Sequence, residues 1–453
     1  MVSSVRQPVI GIYVRSPLGL AKRGSLGTVN PVYVGGPVFR EVVNRSGLNL
    51  NLIKSALVGS ATQTGPQGVN ISRRVLKEAY GAEATDIFSS TLNTSCASSL
   101  EAIVLAAQMI KSGEDDFVLV GGVESNSEKQ APAGSDILLP QTSLGNMMKV
   151  LGLGVKFGSN PGRLESELLK LTMPADQPFV GMNMSGDYIA QLYGYKRPDL
   201  EEIGARSITR ATVAQHEGKF DDEIVPINLP RGKGWVRRDE TIRMTSTLLA
   251  QGKLKTTLRG GFHHAGTSSQ LGVGASALVV CDEEAALKHG IIPIARIKAW
   301  GKSGTDPTMG QLLGPLVAVR RALVNAGLLR PEDINNDRAV LKAASKIDYW
   351  EANEAFASEE KVVREHFGIN EKQINIKGGA IAVSHPFAVT GGRIAGVVAN
   401  QIRDLGLADT KSDRPPKLGI ATLCIAQGLG EAVVFEEYRA ESAARNFGRV
   451  LAS

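Results

Sequence analysis

The sequence predicts an α/β fold built on a parallel or mixed sheet. Short apolar runs alternate with stretches of helical period. Several of the helical stretches stop at a glycine, at Gly47, Gly81, Gly113 and Gly327. The order of elements near the N-terminus recurs toward the C-terminus.

The first set begins with VIGIYV (from Val9), a strand. VFREVVNRSG (from Val38) reads as a helix ended by Gly47. SALVGSAT is a strand and ISRRVLKEAYG a helix. DIFSSTLN is a strand, SLEAIVLAAQMIKSG a helix and DFVLVGG a strand. The rhythm breaks from Ser125 to about Gly260, a stretch rich in Met, Pro, Gly and Lys. It resumes with the strands GASALVVCDE and IARIKAWGKSG, then the helix LVAVRRALVNAG. KIDYWEANEAFASEEKVVREHFG starts as a strand and continues as a helix. INIKGGAIAVSHP, GGRIAGVVANQIRDLG, KLGIATLCIAQGLG and EAVVFEE complete the run.

In each set a strand leads into a special turn, a helix and an apolar strand. DFVLVGG corresponds to LGIATLC, and GASALVV to EAVVFEE. The expected organisation is one half from 1–124 with 261–285, an insertion at 125–260, a second half at 286–437, and a tail at 438–453.

The chain has 453 residues, room for roughly three units of ordinary domain size. A net charge of +6, scattered along the chain, does not form the basic stripe of a nucleic-acid binder. It suits a polyanionic small molecule such as a nucleotide cofactor. Three cysteines argue against a disulfide scaffold and for a reducing compartment, so a cytoplasmic location is expected. The start, MVSSVRQPVIGIYVRSP, lacks a signal-peptide pattern, and GRVLAS is not a peroxisomal tripeptide. No apolar run approaches a membrane span. Neither a metal nor a prosthetic group is expected.

Four motifs carry candidate chemistry. In NTSCASSLEAI, Cys96 lies between a strand and a helix, behind residue types that cap helices. Backbone N–H groups at a helix N-terminus favour a thiolate and lower the thiol pKa; a small buried core cysteine is the plainer reading. In GGAIAVSHPFAVTGG, Pro386 biases His385 away from helical geometry within a glycine-rich turn. In TLCIAQGLG, Cys424 closes an apolar strand before a turn with Gly428 and Gly430. Cys281, in LVVCDE, has no such turn and is assigned to structure. YWEANEAFAS puts Asn353 and Glu354 where a strand becomes a helix, which Asn353 could simply cap.

Together, in the order Cys, NEAF, HP, Cys, these motifs resemble the thiolase family over nearly the whole chain. GGVES (121–125), DETIR (239–243) and HHAGTSSQ followed by GASALVV add to the match. The resemblance implies two repeated βαβαβαββ halves in a five-layered α-β-α-β-α arrangement, with an inserted loop domain covering coenzyme A. It implies a homodimer or homotetramer acting on acyl-CoA substrates. It also implies roles. Cys96 would hold the acyl group covalently, His385 would activate that thiol, and Cys424 would move the α-proton of acetyl-CoA. His385 with a water held by Asn353 would form one oxyanion hole, and the N–H groups of Cys96 and Ala426 the other. Each such donor is worth about 3 kcal/mol of barrier. Arg243 would lie near the adenine and ribose of CoA, and Ser269 on the pantetheine arm.

The sequence departs from the family's usual pattern at Ser384, Ala426 and Gln427, each a position where the family usually carries glycine. A backbone N–H does not depend on its side chain, so Ala426 can still donate where its φ/ψ suits a non-glycine residue. HPFA and C-x-A…GLG look like the β-subunits of fatty-acid-oxidation complexes, whereas NEAF looks like the stand-alone enzymes. Residues 137–158, apolar and basic without acids, could line an acyl tunnel, lie on a membrane surface or meet a partner subunit; an ordinary packed helix is the plainer account. Two other readings stay open: a different condensing enzyme of the same fold, and a thiolase-like protein that binds acyl-CoA with little turnover.

Overall fold

The computed structural model describes residues 6–127, 181–243, 247–307, 310–409, 411 and 414–439. The stretch 137–158 lies outside them.

The strands are β1 (Pro8–Arg15), β2 (Gly19–Leu20), β3 (Ser55–Gly59), β4 (Phe88–Leu92), β5 (Phe117–Ser125), β6 (Ile227–Asn228), β7 (Trp235–Val236), β8 (Gly272–Asp282), β9 (Ala295–Gly304), β10 (Tyr349–Ala352), β11 (Leu418–Ile425) and β12 (Leu429–Glu437). Helices α1 (Pro31–Ser46), α2 (Ile71–Tyr80) and α3 (Ser98–Ser112) belong to the first half. Helices α4 (Met182–Leu192), α5 (Arg197–His216) and the short α6 (Leu248–Gly252) lie between β5 and β8. After β8 come α7 (Glu283–Lys288), α8 (Gly314–Asn325), α9 (Asp337–Ala344), α10 (Ala357–His366), α11 (Ala380–Val383) and α12 (Phe387–Ala408).

Strand order reveals the repeat. The main path runs β10-β11-β12-β9-β1-β8-β5-β3-β4. At its centre β1 and β9 are joined only through Val9↔Arg296 and Ile10↔Ala295. Outward from this seam, the first half reads β1-β8-β5-β3-β4 and the second β9-β12-β11-β10. In both, the second and third strands are antiparallel and the third and fourth parallel. DFVLVGG and GASALVV therefore occupy the places of LGIATLC and EAVVFEE, as expected. The fifth place in the second half is reduced to a single parallel bridge, Trp350↔Ile374. The next residue, Asn375, has φ 47° and turns the chain away.

Three apolar cores define the layers. Alternate residues of a strand face opposite sides, and here Leu119 and Val279 join one core while Val118, Val120 and Val280 join another. The first core lies under α1 and α2, with Phe39, Val42 and Leu76. The central core holds α3 and α12, through Leu100, Ile103, Ile394 and Val398, between inner faces of both halves. The third packs α5, α8 and α10 on the second half, through Ile208, Val319 and Val363. The layers thus run helix, sheet, paired helices, sheet, helix.

The glycine clusters explain how closely the central layer packs. A Cβ on Gly391 would lie 2.5 Å from the Leu100 nitrogen, and one on Gly122 2.0 Å from the Ala388 carbonyl oxygen. One boundary differs from expectation: α1 begins at Pro31, not Val38. The Asn30 side chain accepts the Val32 N–H, and Pro31 occupies the first helical position, where its missing donor costs nothing.

Candidate active site

Cys96 sits on a tight 3-10 turn, Ser95–Ala97, between β4 and α3. The polar run before it shapes this turn instead of capping α3, which starts at Ser98 with no side-chain cap. Asn93 Oδ1 accepts the Ser95 N–H at 3.0 Å. Ser98 Oγ accepts the Thr94 N–H at 3.0 Å and donates to the Ser95 carbonyl at 2.7 Å. The Cys96 sulfur is buried, and the backbone N–H groups of Ala426 and of Cys96 itself bear on it in the direction that favours a thiolate.

These donors favour the thiolate, but they do not prevail. Burial, then the nearby Glu359 carboxylate, push the Cys96 thiol up to about 12. The expected lowering by a helix N-terminus is therefore overturned, and the resting group is the neutral thiol. It needs a base to become a nucleophile.

Ala426 opens the tight turn between β11 and β12. It keeps negative φ, so its N–H is presented without strain. Gln427 (φ 75°) and Ser384 (φ 75°, ψ 170°) both lie in the left-handed range that favours glycine. Gln427 is held there by its N–H, which donates to Gln311 Oε1 at 2.9 Å.

Cys424 is fully buried one residue before the end of β11. Its N–H donates to Glu359 Oε1 at 3.0 Å, which places its thiol beside the same carboxyl group. Burial, Glu359 and then Cys96 push this thiol well above the usual range. Glu359 Oε2 accepts the Ala355 N–H at 3.1 Å. Burial raises the Glu359 carboxyl to about 7, against the opposing effect of the Cys424 residue and the Ala355 N–H.

His385 is buried, and burial followed by Arg393 pushes it down to about 3. The imidazole is thus neutral. Its Nδ1 lies 2.6 Å from Thr390 Oγ1, which in turn donates to the Pro386 carbonyl at 3.2 Å. One hydroxyl proton cannot serve both, so Thr390 accepts from Nδ1–H and leaves Nε2 with its lone pair. Asn353 Nδ2 approaches Nε2 at 3.5 Å. The Asn353 backbone is tied to β11 by its N–H to the Thr422 carbonyl at 2.9 Å, and its buried Oδ1 has no partner among the described residues.

Glu354 is a scaffold. It accepts from Ser207 Oγ at 2.6 Å, Asn375 Nδ2 at 3.0 Å and the Ile381 N–H at 3.2 Å, pinning the chain that leads to His385. Glu124 braces the opposite side, taking the N–H groups of Ala61, Thr62 and Ala388. Gly392 N–H donates to Ser99 Oγ at 2.7 Å, seating the start of α12 on the start of α3.

The segment 265–271 ties the turns together. Ser269 donates its N–H to the Ala355 carbonyl at 2.9 Å, and His385 donates its own to the Gln270 carbonyl at 2.8 Å. Arg243 Nη2 donates to the Ala265 carbonyl at 2.8 Å. Arg243 and Ser269 thus anchor on this segment, while the turn that carries Cys96 packs on β11, which carries Cys424 and leads into Ala426, and His385 meets Asn353. Cys281 is buried in β8 within the outer core, as assigned.

Glu359, Thr390 and the bracing role of Glu124 escape sequence reasoning. Thr390 stands five residues after His385, a spacing that flags it once α12 is known to start at Phe387. Glu359 reads in sequence as an acid in a helix's first turn.

Residues 9–284 match the thiolase N-terminal domain family and residues 291–437 the thiolase C-terminal domain family. The chain is 33% identical to a 3-ketoacyl-CoA thiolase of Marinobacter nauticus, over 95% of this chain and 98% of the relative. It is 32% identical to an acetyl-CoA acetyltransferase of Escherichia coli, over 94% of this chain and 98% of the relative. It is similar to the crystal structure of the Bacillus anthracis acetyl-CoA acetyltransferase, with TM-score 0.76 and 26% identity, covering 96% of this chain and 99% of that one.

Proposed function

The chain belongs to the thiolase family and is a CoA-dependent acyltransferase, and we propose that it works through an acyl-Cys96 intermediate. The reaction is thiolytic cleavage of a 3-ketoacyl-CoA to acyl-CoA plus acetyl-CoA, or the reverse condensation. One observation carries the residue assignment. The Ser95–Ala97 turn that carries Cys96 packs against β11, which carries the second thiol, Cys424, and Cys96 bears on that thiol electrostatically.

His385, neutral with Nε2 unprotonated, takes the Cys96 proton as the sulfur attacks the substrate carbonyl. The N–H groups of Cys96 and Ala426 then receive the negative charge that builds on the oxygen of that acyl group. Cys424 moves the α-proton of the acetyl unit, and His385, then carrying at Nε2 the proton taken from Cys96, stabilises the resulting enolate oxygen together with a water held by Asn353. The insertion at 125–260 closes over CoA, with Arg243 toward the adenine and ribose and Ser269 along the pantetheine arm. CoA and its thioesters are substrates and not bound prosthetic groups.

Two copies pair through the first half. The edge strand β4 supports this, because it ends the strand path and carries Phe88 at 74% exposure. Three buried free thiols fit a reducing compartment such as the cytoplasm. Among the described residues no helix is long and apolar enough to cross a membrane.

Acetoacetyl-CoA mixed with CoA and the protein should lose its enolate absorbance. No loss at any protein concentration rules the reading out. Light scattering that returns a mass near 48.1 kDa at every concentration would refute the pairing.

A further inference from the structure

Glu359 is buried in the first turn of α10 and forms no ion pair among the described residues. An unpaired carboxylate is costly to bury, and a neutral acceptor could satisfy a backbone N–H as well. Its oxygens take the Ala355 and Cys424 N–H groups at 3.1 and 3.0 Å, which holds the carboxyl beside residue 424, where it bears on the Cys424 thiol. The other acids that bear on this place are Glu354, which acts on Glu359, and Glu124, which acts on Cys96. A thiol beside a carboxylate has its proton acceptor already in place.

We propose that Glu359 is the positioning residue and proton acceptor behind Cys424, taking the thiol proton before Cys424 acts as a base and returning a proton to the site at the end of turnover. This rests on the reading of Cys424 as the base. In the first step the Cys424 S–H bond breaks and an O–H bond forms on Glu359, leaving a thiolate and a neutral acid. The thiolate then takes a methyl proton from acetyl-CoA. That C–H bond breaks, an S–H bond forms, and the electron pair is left on the α-carbon and the thioester oxygen. The carbanion attacks the acyl carbonyl on Cys96, a carbon–carbon bond forms, and the C–S bond to Cys96 breaks. The departing Cys96 thiolate gains the proton held by Glu359, which restores the starting charges. Glu359 bears electrostatically on both sulfurs.

The proton step has its own readout, the exchange of acetyl-CoA methyl protons for solvent deuterium, followed by mass spectrometry across neutral pH. Glu359 must be ionised to accept a proton, so wild-type exchange should rise through a group titrating near 7. Glu359→Gln should lose that rise and exchange about 100-fold more slowly, recovering only at alkaline pH where the thiol ionises unaided. It should still form the acetyl-enzyme, which reports that it is folded. Glu359→Asp, with a carboxyl one methylene further back, should restore part of the rise. A wild type whose exchange is flat through pH 7 overturns the proposal without any variant. So does a Glu359→Gln protein that keeps the wild-type profile while Cys424→Ala has lost exchange. If Cys424→Ala itself exchanges like the wild type, the reading of Cys424 fails instead, and the role of Glu359 falls with it.

Discussion

The backbone N–H of Ala426 bears on the sulfur of Cys96 and favours its thiolate. The donor opens the last β-turn of the second half, and the sulfur sits ahead of the central helix of the first. The two halves thus meet at one sulfur, whose acyl adduct would inherit the donor.

Acetyl-CoA should add one acetyl group to the protein, on Cys96. Cys96→Ala should remove it completely, because Cys281 is buried in the outer core and Cys424 is held by Glu359. Intact and peptide mass spectrometry decide this. An acetyl group found on another residue would refute the nucleophile.

The acetylation rate should show no titration of His385 in the usual histidine range. Burial holds that imidazole near 3, so the base is already neutral throughout mildly acid and neutral pH, and protonation removes it only near pH 3. Thr390→Val should slow acetylation by about 10-fold, since the second hydrogen bond that fixes the tautomer is lost. A rate that instead falls off through pH 6.5 in the wild type would contradict the neutral imidazole.

Ser384→Gly should stabilise the protein by about 1 kcal/mol, the relief of a strained left-handed backbone less the entropy glycine adds to the unfolded chain. Ser384 has φ 75°, and its buried Oγ has no partner among the described residues. Gly122→Ala should destabilise by about 3 kcal/mol, because its Cβ would meet the Ala388 carbonyl at 2.0 Å. Denaturant midpoints test both, and a Ser384→Gly midpoint at or below wild type would count against the strain.

Arg243→Ala should raise KM for CoA about 10-fold and change kcat little, as expected for a contact made equally in ground and transition states. A fall in kcat with KM unchanged would place Arg243 outside the CoA site.

The sequence by itself determined the alternation of strands and helices, the pairing of DFVLVGG with LGIATLC, and the two turns that hold the candidate cysteines. Periodicity, glycine stops and local motifs are written in consecutive residues. Ser384 and Gln427 were visible as departures, but only their φ of 75° explains why glycine is usual there. Tertiary structure alone decided the electrostatics. Cys96 reads in sequence as a thiolate at a helix start, yet burial and Glu359, 263 positions away by number, hold it as a thiol. Glu359 itself reads as a helix-start acid until α10 is laid against the end of β11. A pKa depends on what lies within a few ångströms after folding, and only the packing of layers brings those groups together.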